Sequence, residues 1–306
     1  QKEAGWLAVV PKGARIDFAH VLRVRDAAPR LMLMESFAAG PVLAESLKAV
    51  SSSRKLRKYR TTTVLGNGQY HLAQFDAPTV PKEERNDALR WRFKDMVDFQ
   101  VDNASIGVID IPIENASGRQ AMVYAVAAGA SAIASVMTSF HDGKASLDAI
   151  YIPELAQRNV AALFEQENRG LAFLCLDESG GLLTITYRGE LYAVRRIEVT
   201  APQLAEADDE RRAAMLERVM LELQRTLDNF DRQYSFISVA ALMVAACPAV
   251  AELQPYLAEN LYVPVKSANL EQVLDLSATP ELCIHPELQA RYLQAIGAAL
   301  RSGDGA

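Results

Sequence analysis

Few of this chain's reactive side chains fall in spacings that chemistry uses. His20, His71, His141 and His285 form neither HExxH nor any other metal-ligand pattern, and read as structural. Cys175, Cys247 and Cys283 stand apart with no CxxC, which argues against a zinc site or a disulfide framework and fits a reducing compartment. Gly66-Asn67-Gly68 lacks the Lys-Ser/Thr end of a Walker loop. Gly129-Ala130-Ser131-Ala132-Ile133 fails the GxSxG elbow at its last position. Asp95, Asp98, Asp102 and Asp110 would do paired acid–base work only if folding brought them together, and a solvated face is the expectation. Two glycine-bearing turns remain, Pro11-Lys12-Gly13 and Asp177-Glu178-Ser179-Gly180-Gly181.

Those turns sit among regular elements. Strands are expected over residues 6–10, 16–25 and 31–38, separated by Pro- and Gly-containing turns. A helix over 41–51 follows, then a β-branched strand over 61–65. Asn67-Gly68 predicts a tight hairpin into a strand over 69–75. A charged helix over 82–97 and a strand over 106–113 come next. The stretch 120–140 carries no charge and is long enough to cross a bilayer, but it is rich in Ala, Gly and Ser. It is expected to divide at Gly129 into a buried strand and a buried helix. Three strands over 171–176, 182–187 and 191–199 open the second half. A helix over 208–234 places Leu216, Val219, Leu223, Leu227 and Phe230 on one face. An apolar run over 236–246 reads as a central parallel strand. A short helix, a strand over 261–265 and a helix over 286–300 close the chain. Both halves thus read β-β-β-α-β-α, an α/β duplication with mixed sheets flanked by helices.

Composition narrows the classes. Half of the 306 residues are hydrophobic and 23% are charged, enough for a sizeable core. The formal net charge of −6 opposes a general nucleic-acid role. The one basic cluster is Arg54, Lys55, Arg57, Lys58 and Arg60. It reads as a solvated helix end, or else as a contact for anionic lipid headgroups or an acidic partner segment. The chain begins at Gln1, not Met, which fits a trimmed N-terminus.

The element order resembles the duplicated actin-like (ribonuclease H-like) ATPase fold. More narrowly, the chain resembles the MshI, PilM and GspL group of bacterial pilus-biogenesis and type II secretion proteins. Residues 88–99, Ala-Leu-Arg-Trp-Arg-Phe-Lys-Asp-Met-Val-Asp-Phe, resemble that group's RW-x-x-KD helix, and Val108-Ile109-Asp110-Ile111-Pro112 resembles the strand that follows it. Residues 174–197 resemble the unit opening the second lobe. The resemblance implies two lobes, 1–168 and 169–306, with an inserted subdomain at about 67–113. It implies a cytoplasmic protein held at the inner membrane indirectly, through the cytoplasmic tail of a PilN-like or MshJ-like membrane protein, and connected to the assembly ATPase.

An actin-like ATPase also implies ATP and magnesium held by two phosphate loops. In the first loop Lys12 and Gly13 are the candidates, but the turn has no carboxylate and Pro11 has no N–H to offer. Lys12 could serve there only as a point charge on phosphate. In the second, Asp177 would stand near the metal, with Ser179, Gly180 and Gly181 around the phosphates; Ser179 replaces the pattern's glycine. Thr184 or Thr186 would stand for the group's threonine. At the adenosine position, Val244-Ala245-Ala246-Cys247-Pro248 has no glycine. All three departures favour a scaffold without catalysis over the alternative, a nucleotide-binding ATPase. The expected groove for an extended peptide lies near 54–60 and 67–113.

Overall fold

The computed structural model describes residues 2–113, 120–246 and 251–302. The chain divides into two compact units: Gln1–Phe37, Tyr59–Val64 and Asp148–Ala306 form the first, Ala38–Lys58 and Leu65–Leu147 the second.

Three strands open the chain, β1 (Trp6–Lys12), β2 (Arg15–Leu22) and β3 (Arg30–Ala38), followed by helix α1 (Leu43–Arg54) and strand β4 (Arg60–Val64). The second unit continues with β5 (His71–Asp76), α2 (Arg85–Arg90), β6 (Ser105–Ile111), β7 (Met122–Ala128) and α3 (Ala130–Asp142). The uncharged stretch therefore divides at Gly129, as its composition predicted. Among the described residues no helix is long and apolar enough to cross a membrane. Back in the first unit come β8 (Ala149–Tyr151), α4 (Pro153–Ala161), β9 (Gly170–Asp177), β10 (Gly180–Tyr187) and β11 (Glu190–Ile197). Helices α5 (Ala201–Glu206) and α6 (Asp209–Gln233), β12 (Val239–Ala245), α7 (Leu253–Asn260) and β13 (Val265–Ala268) follow. Helices α8 (Glu281–Ile284) and α9 (Glu287–Ala299) complete the described fold.

The first unit holds two five-stranded sheets, β3-β2-β1-β4-β8 and β11-β10-β9-β12-β13. Numbered within its own sheet, each reads 3-2-1-4-5. In each, the first strand pairs antiparallel with the second and parallel with the fourth. The duplication expected from element order is thus present strand for strand. Helix α9 packs on β1, β2 and β4, helix α4 packs on β9, β10 and β11, and the two helices pack on each other. One core runs through them, with Val10, Val21 and Leu31 from the first sheet, Leu171, Phe173 and Met243 from the second, and Val160 and Ile296 from the helices. Burying each such side chain is worth about 1.5–3 kcal/mol. Helix α6 covers the second sheet beside β11 with the predicted stripe Leu216, Val219, Leu223, Leu227 and Phe230, all buried. Its start is fixed by Asp208, whose carboxylate accepts from the Arg211 N–H at 2.9 Å.

The second unit is a three-stranded sheet ordered β5-β7-β6. Leu89 and Phe93, from the segment that opens with α2, pack with Val123, Ala125 and Ala127 of β7.

Three expectations are corrected. Asn67-Gly68 does make a turn, with the Gln69 N–H donating to the Gly66 carbonyl at 3.2 Å, but its flanking strands do not pair. β4 runs parallel between β1 and β8, while β5 pairs with β7. Thr61, Thr62, Thr63 and Val64 are buried, as a central strand requires, so β4 has no room for a hairpin partner. The charged helix 82–97 is helical only over Arg85–Arg90, with single 3-10 turns on either side. There Arg90 Nη1 donates to the Val101 carbonyl at 3.0 Å and to the Ala104 carbonyl, while Phe93 turns inward against Phe75, with ring centroids 5.2 Å apart. The last strand is Val265–Ala268, not 261–265; Leu261 and Val263 are buried in the connection that leads to it.

Candidate functional site

Both glycine-bearing turns are two-residue hairpins at equivalent places in the two sheets. β1 and β2 close with Lys12 opposite Arg15, and β9 and β10 close with Asp177 opposite Gly180. The fold brings the hairpins together. Lys12 Nζ donates to Asp177 Oδ2 at 2.5 Å, and Arg15 Nη2 lies 2.6 Å from Glu178 Oε1. The side chains of Lys12 and Asp177 are each only 10% exposed. Asp177 has further donors: the Ser179 N–H reaches Oδ1 at 2.7 Å, and Gln294 Nε2 of α9 reaches Oδ2 at 3.4 Å. The acid meant to face a metal is therefore matched by an internal ammonium.

The glycines of the second turn are used by the sheet. Gly180 adopts φ +126°, and a Cβ on it would lie 3.0 Å from the Ile197 carbonyl oxygen. A Cβ on Gly181 would lie 3.0 Å from the Ile197 Cβ. Thr184 and Thr186 are wholly buried within β10, and Thr184 Oγ1 accepts from Gln157 Nε2 at 3.1 Å.

Sequence reasoning missed the helix residues that lock the turns. Gln157 of α4 also donates to the carbonyls of Phe173 and Leu182, both at 3.0 Å. Arg196 Nη2 donates to Glu154 Oε1 at 2.7 Å, with the Glu154 side chain 2% exposed. Asp17, in β2, accepts from Arg15 and from Ser36, whose hydroxyl also accepts from Arg291 of α9. A carboxylate or glutamine on a predicted helix face would have flagged Glu154 and Gln157, but no helix was predicted there.

A cavity of about 20 Å3 is left beside the second turn, lined by Gln157, Asp177, Gly180, Gly181, Arg196 and Gln294 among others. That is room for a single water, against the several hundred Å3 of an ordinary ligand pocket. A magnesium–nucleotide would need Asp177 unpaired, and here the Lys12 ammonium holds it; the residues of the two turns do not fit that group. Of the adenosine position 244–248, Val244 and Ala245 are buried at the end of β12, and 247–248 lie outside the described residues. Among the described residues, no three His, Cys, Asp or Glu side chains converge as a metal site would require. Asp95, Asp98, Asp102 and Asp110 are all exposed, and Asp110 pairs with Arg85 at 2.6 Å.

Charge across the hairpins sets a pH dependence. Burial works to raise the Glu178 pKa, but Lys12, the turn's backbone N–H and Arg15 together hold it below its ordinary value of 4.5. A carboxyl group depressed in the folded state stabilises the fold above its unfolded pKa and ceases to do so as pH falls through its folded pKa. The urea midpoint should therefore fall on acidification through and below pH 4.5, and Glu178→Gln should flatten that limb.

Two sheets of one strand order, facing hairpin turns and a crossing helix pair define the actin-like ATPase fold. The chain is similar over 97% of its length to 98% of a chain in the solved PilM-PilN type IV pilus biogenesis complex, with a TM-score of 0.76 and 20% identity. It is also similar to a protein of unknown function with an actin-like ATPase fold from Bacteroides thetaiotaomicron, at TM-score 0.52 and 10% identity, covering 95% of this chain and 96% of that one. Likeness at these identities establishes the fold. No family model and no curated protein matches the chain.

Proposed function

We propose that this protein is a non-catalytic scaffold of an inner-membrane assembly platform, of the type IV pilus (MSHA-like, MshI-type) or type II secretion kind. It works in the cytoplasm and binds the cytoplasmic tail of a PilN-like or MshJ-like membrane protein. The two sheets stand for the two actin-like lobes, divided near residue 168. The observation that carries the reading is the Lys12–Asp177 pair. Opposed phosphate loops hold ATP by presenting free N–H groups and a metal-facing acid, whereas here one loop neutralises the other. The near full-length likeness to a chain of the PilM-PilN complex supports the choice of platform.

The tail is expected to bind as an extended strand. β5 and β6 are the outer strands of the second unit's sheet, so each presents an edge to which a peptide can add. Titration of a synthetic PilN-like tail should give saturable binding of equal affinity with and without Mg-ATP. Failure of the tail to bind, or binding only with nucleotide, would contradict the scaffold reading.

A further inference from the structure

Four basic residues of the second unit lie on segments that meet where two helices end. Helix α1 ends at Arg54, and Lys55 caps it with φ +51°. Helix α3 ends at Asp142, and Lys144, two residues on, has φ +55°. Ser51 Oγ donates to the Lys144 carbonyl at 3.0 Å, so the two helix ends meet. A 3-10 turn over Leu56–Lys58 then adds Arg57 and Lys58, anchored by buried Leu56. Lys55, Arg57, Lys58 and Lys144 are all exposed. Among the described residues none of the four has an ion pair; Asp142, the last residue of α3, lies 3.1 Å from the exposed His141 ring, and the four basic residues outnumber it. Arg60, the last member of the basic run, belongs to the first unit and lies over the Trp6 ring.

Folding does not account for this cluster. A helix C-terminus gains from a nearby cation, but one per end suffices. Two of the four lysine and arginine residues occupy left-handed backbone, where glycine is the low-cost choice and a lysine is strained. The chain as a whole carries −6, so this face has the opposite sign to the rest of the molecule. Such a dipolar arrangement turns one face toward a negative surface. Three of the four are lysines, whose flexible point charges suit a diffuse layer of headgroups better than a bidentate anion site.

We propose that this face rests directly on the anionic phospholipid headgroups of a bilayer. The contact is additional to any tail binding and stands without it, and it replaces the purely indirect membrane attachment expected from the sequence. Each basic residue near an anionic surface strengthens binding about fivefold.

The test mixes the full chain with vesicles of phosphatidylglycerol and phosphatidylethanolamine, and separately with pure phosphatidylcholine vesicles, at low and high salt. Co-sedimentation is expected with the anionic vesicles alone, weakening as salt rises. Lys55→Gly/Lys144→Gly is the discriminating variant. It relieves two left-handed residues and should raise the melting temperature, yet weaken vesicle binding about twenty-fivefold. Absence of binding to anionic vesicles at low salt overturns the proposal, as does unchanged affinity in the double variant. Charge-dependent capture of a polyglutamate peptide without vesicle binding also overturns it, and points to an acidic protein partner.

Discussion

Lys12→Met should lower the unfolding free energy by about 3 kcal/mol, because it leaves Asp177 charged and buried with neutral donors alone. The side chains of the pair are each 10% exposed, so little more than the single water that fits the adjoining cavity can take the place of the lost ammonium. The remaining donors, the Ser179 N–H and Gln294, supply dipoles where a full charge stood. Asp177→Leu should cost less, since Lys12 still has Glu178 at 4.0 Å. The double variant Lys12→Met/Asp177→Leu should regain more than half of the single-variant loss, because a matched apolar pair leaves no orphaned charge. Urea denaturation of the four proteins closes the cycle. A loss under about 1 kcal/mol for Lys12→Met would mark the pair as solvated and remove its structural role.

Gly297→Ala should be comparably damaging, although alanine favours a helix by about 1 kcal/mol over glycine. Gly297 lies in α9 where it crosses α4, and a Cβ there would sit 2.0 Å from the Ala156 carbonyl oxygen and 2.5 Å from its carbon. These are backbone atoms, so relief requires α4 to move bodily. α4 carries Glu154 and Gln157, which hold β9, β10 and Arg196, and its Asn159 donates to the Gly297 carbonyl at 2.9 Å. Overpacking of this kind costs about 1–3 kcal/mol or more, which outweighs the gain in helix propensity. The urea midpoint should fall. A rise would mean that the helices do not cross at Gly297.

The sequence carried the duplication because each half spells the same run of hairpin strands, with Pro11-Lys12-Gly13 and Ser179-Gly180-Gly181 marking matching turns. Amphipathic α6 was equally legible, since its buried stripe repeats with helical period over 25 residues. Helix α4 was not. Its polar residues Glu154, Gln157 and Arg158 do fall at helical spacing, but nine residues are too few for the pattern to repeat, and six of the nine are buried, Glu154 and Gln157 among them. Pro153 after Ile152 was the available signal for its start. β8, three residues long, is too short to show alternation. The Asn67-Gly68 turn misled because a turn residue reports local backbone, while the partner of β4 is fixed by sheet contacts far away in sequence. The candidate loops were legible as residues. Their mutual neutralisation was not, because Lys12 and Asp177 are 165 residues apart and only the fold makes them neighbours.

Calorimetric titration of Mg-ATP into the unmodified protein asks whether a hairpin already satisfied from within leaves anything for a polyphosphate to hold. No saturable heat is expected up to millimolar nucleotide. Micromolar, saturable binding that disappears in Asp177→Ala would show that the acid is available to a metal after all, and the non-catalytic reading would fall.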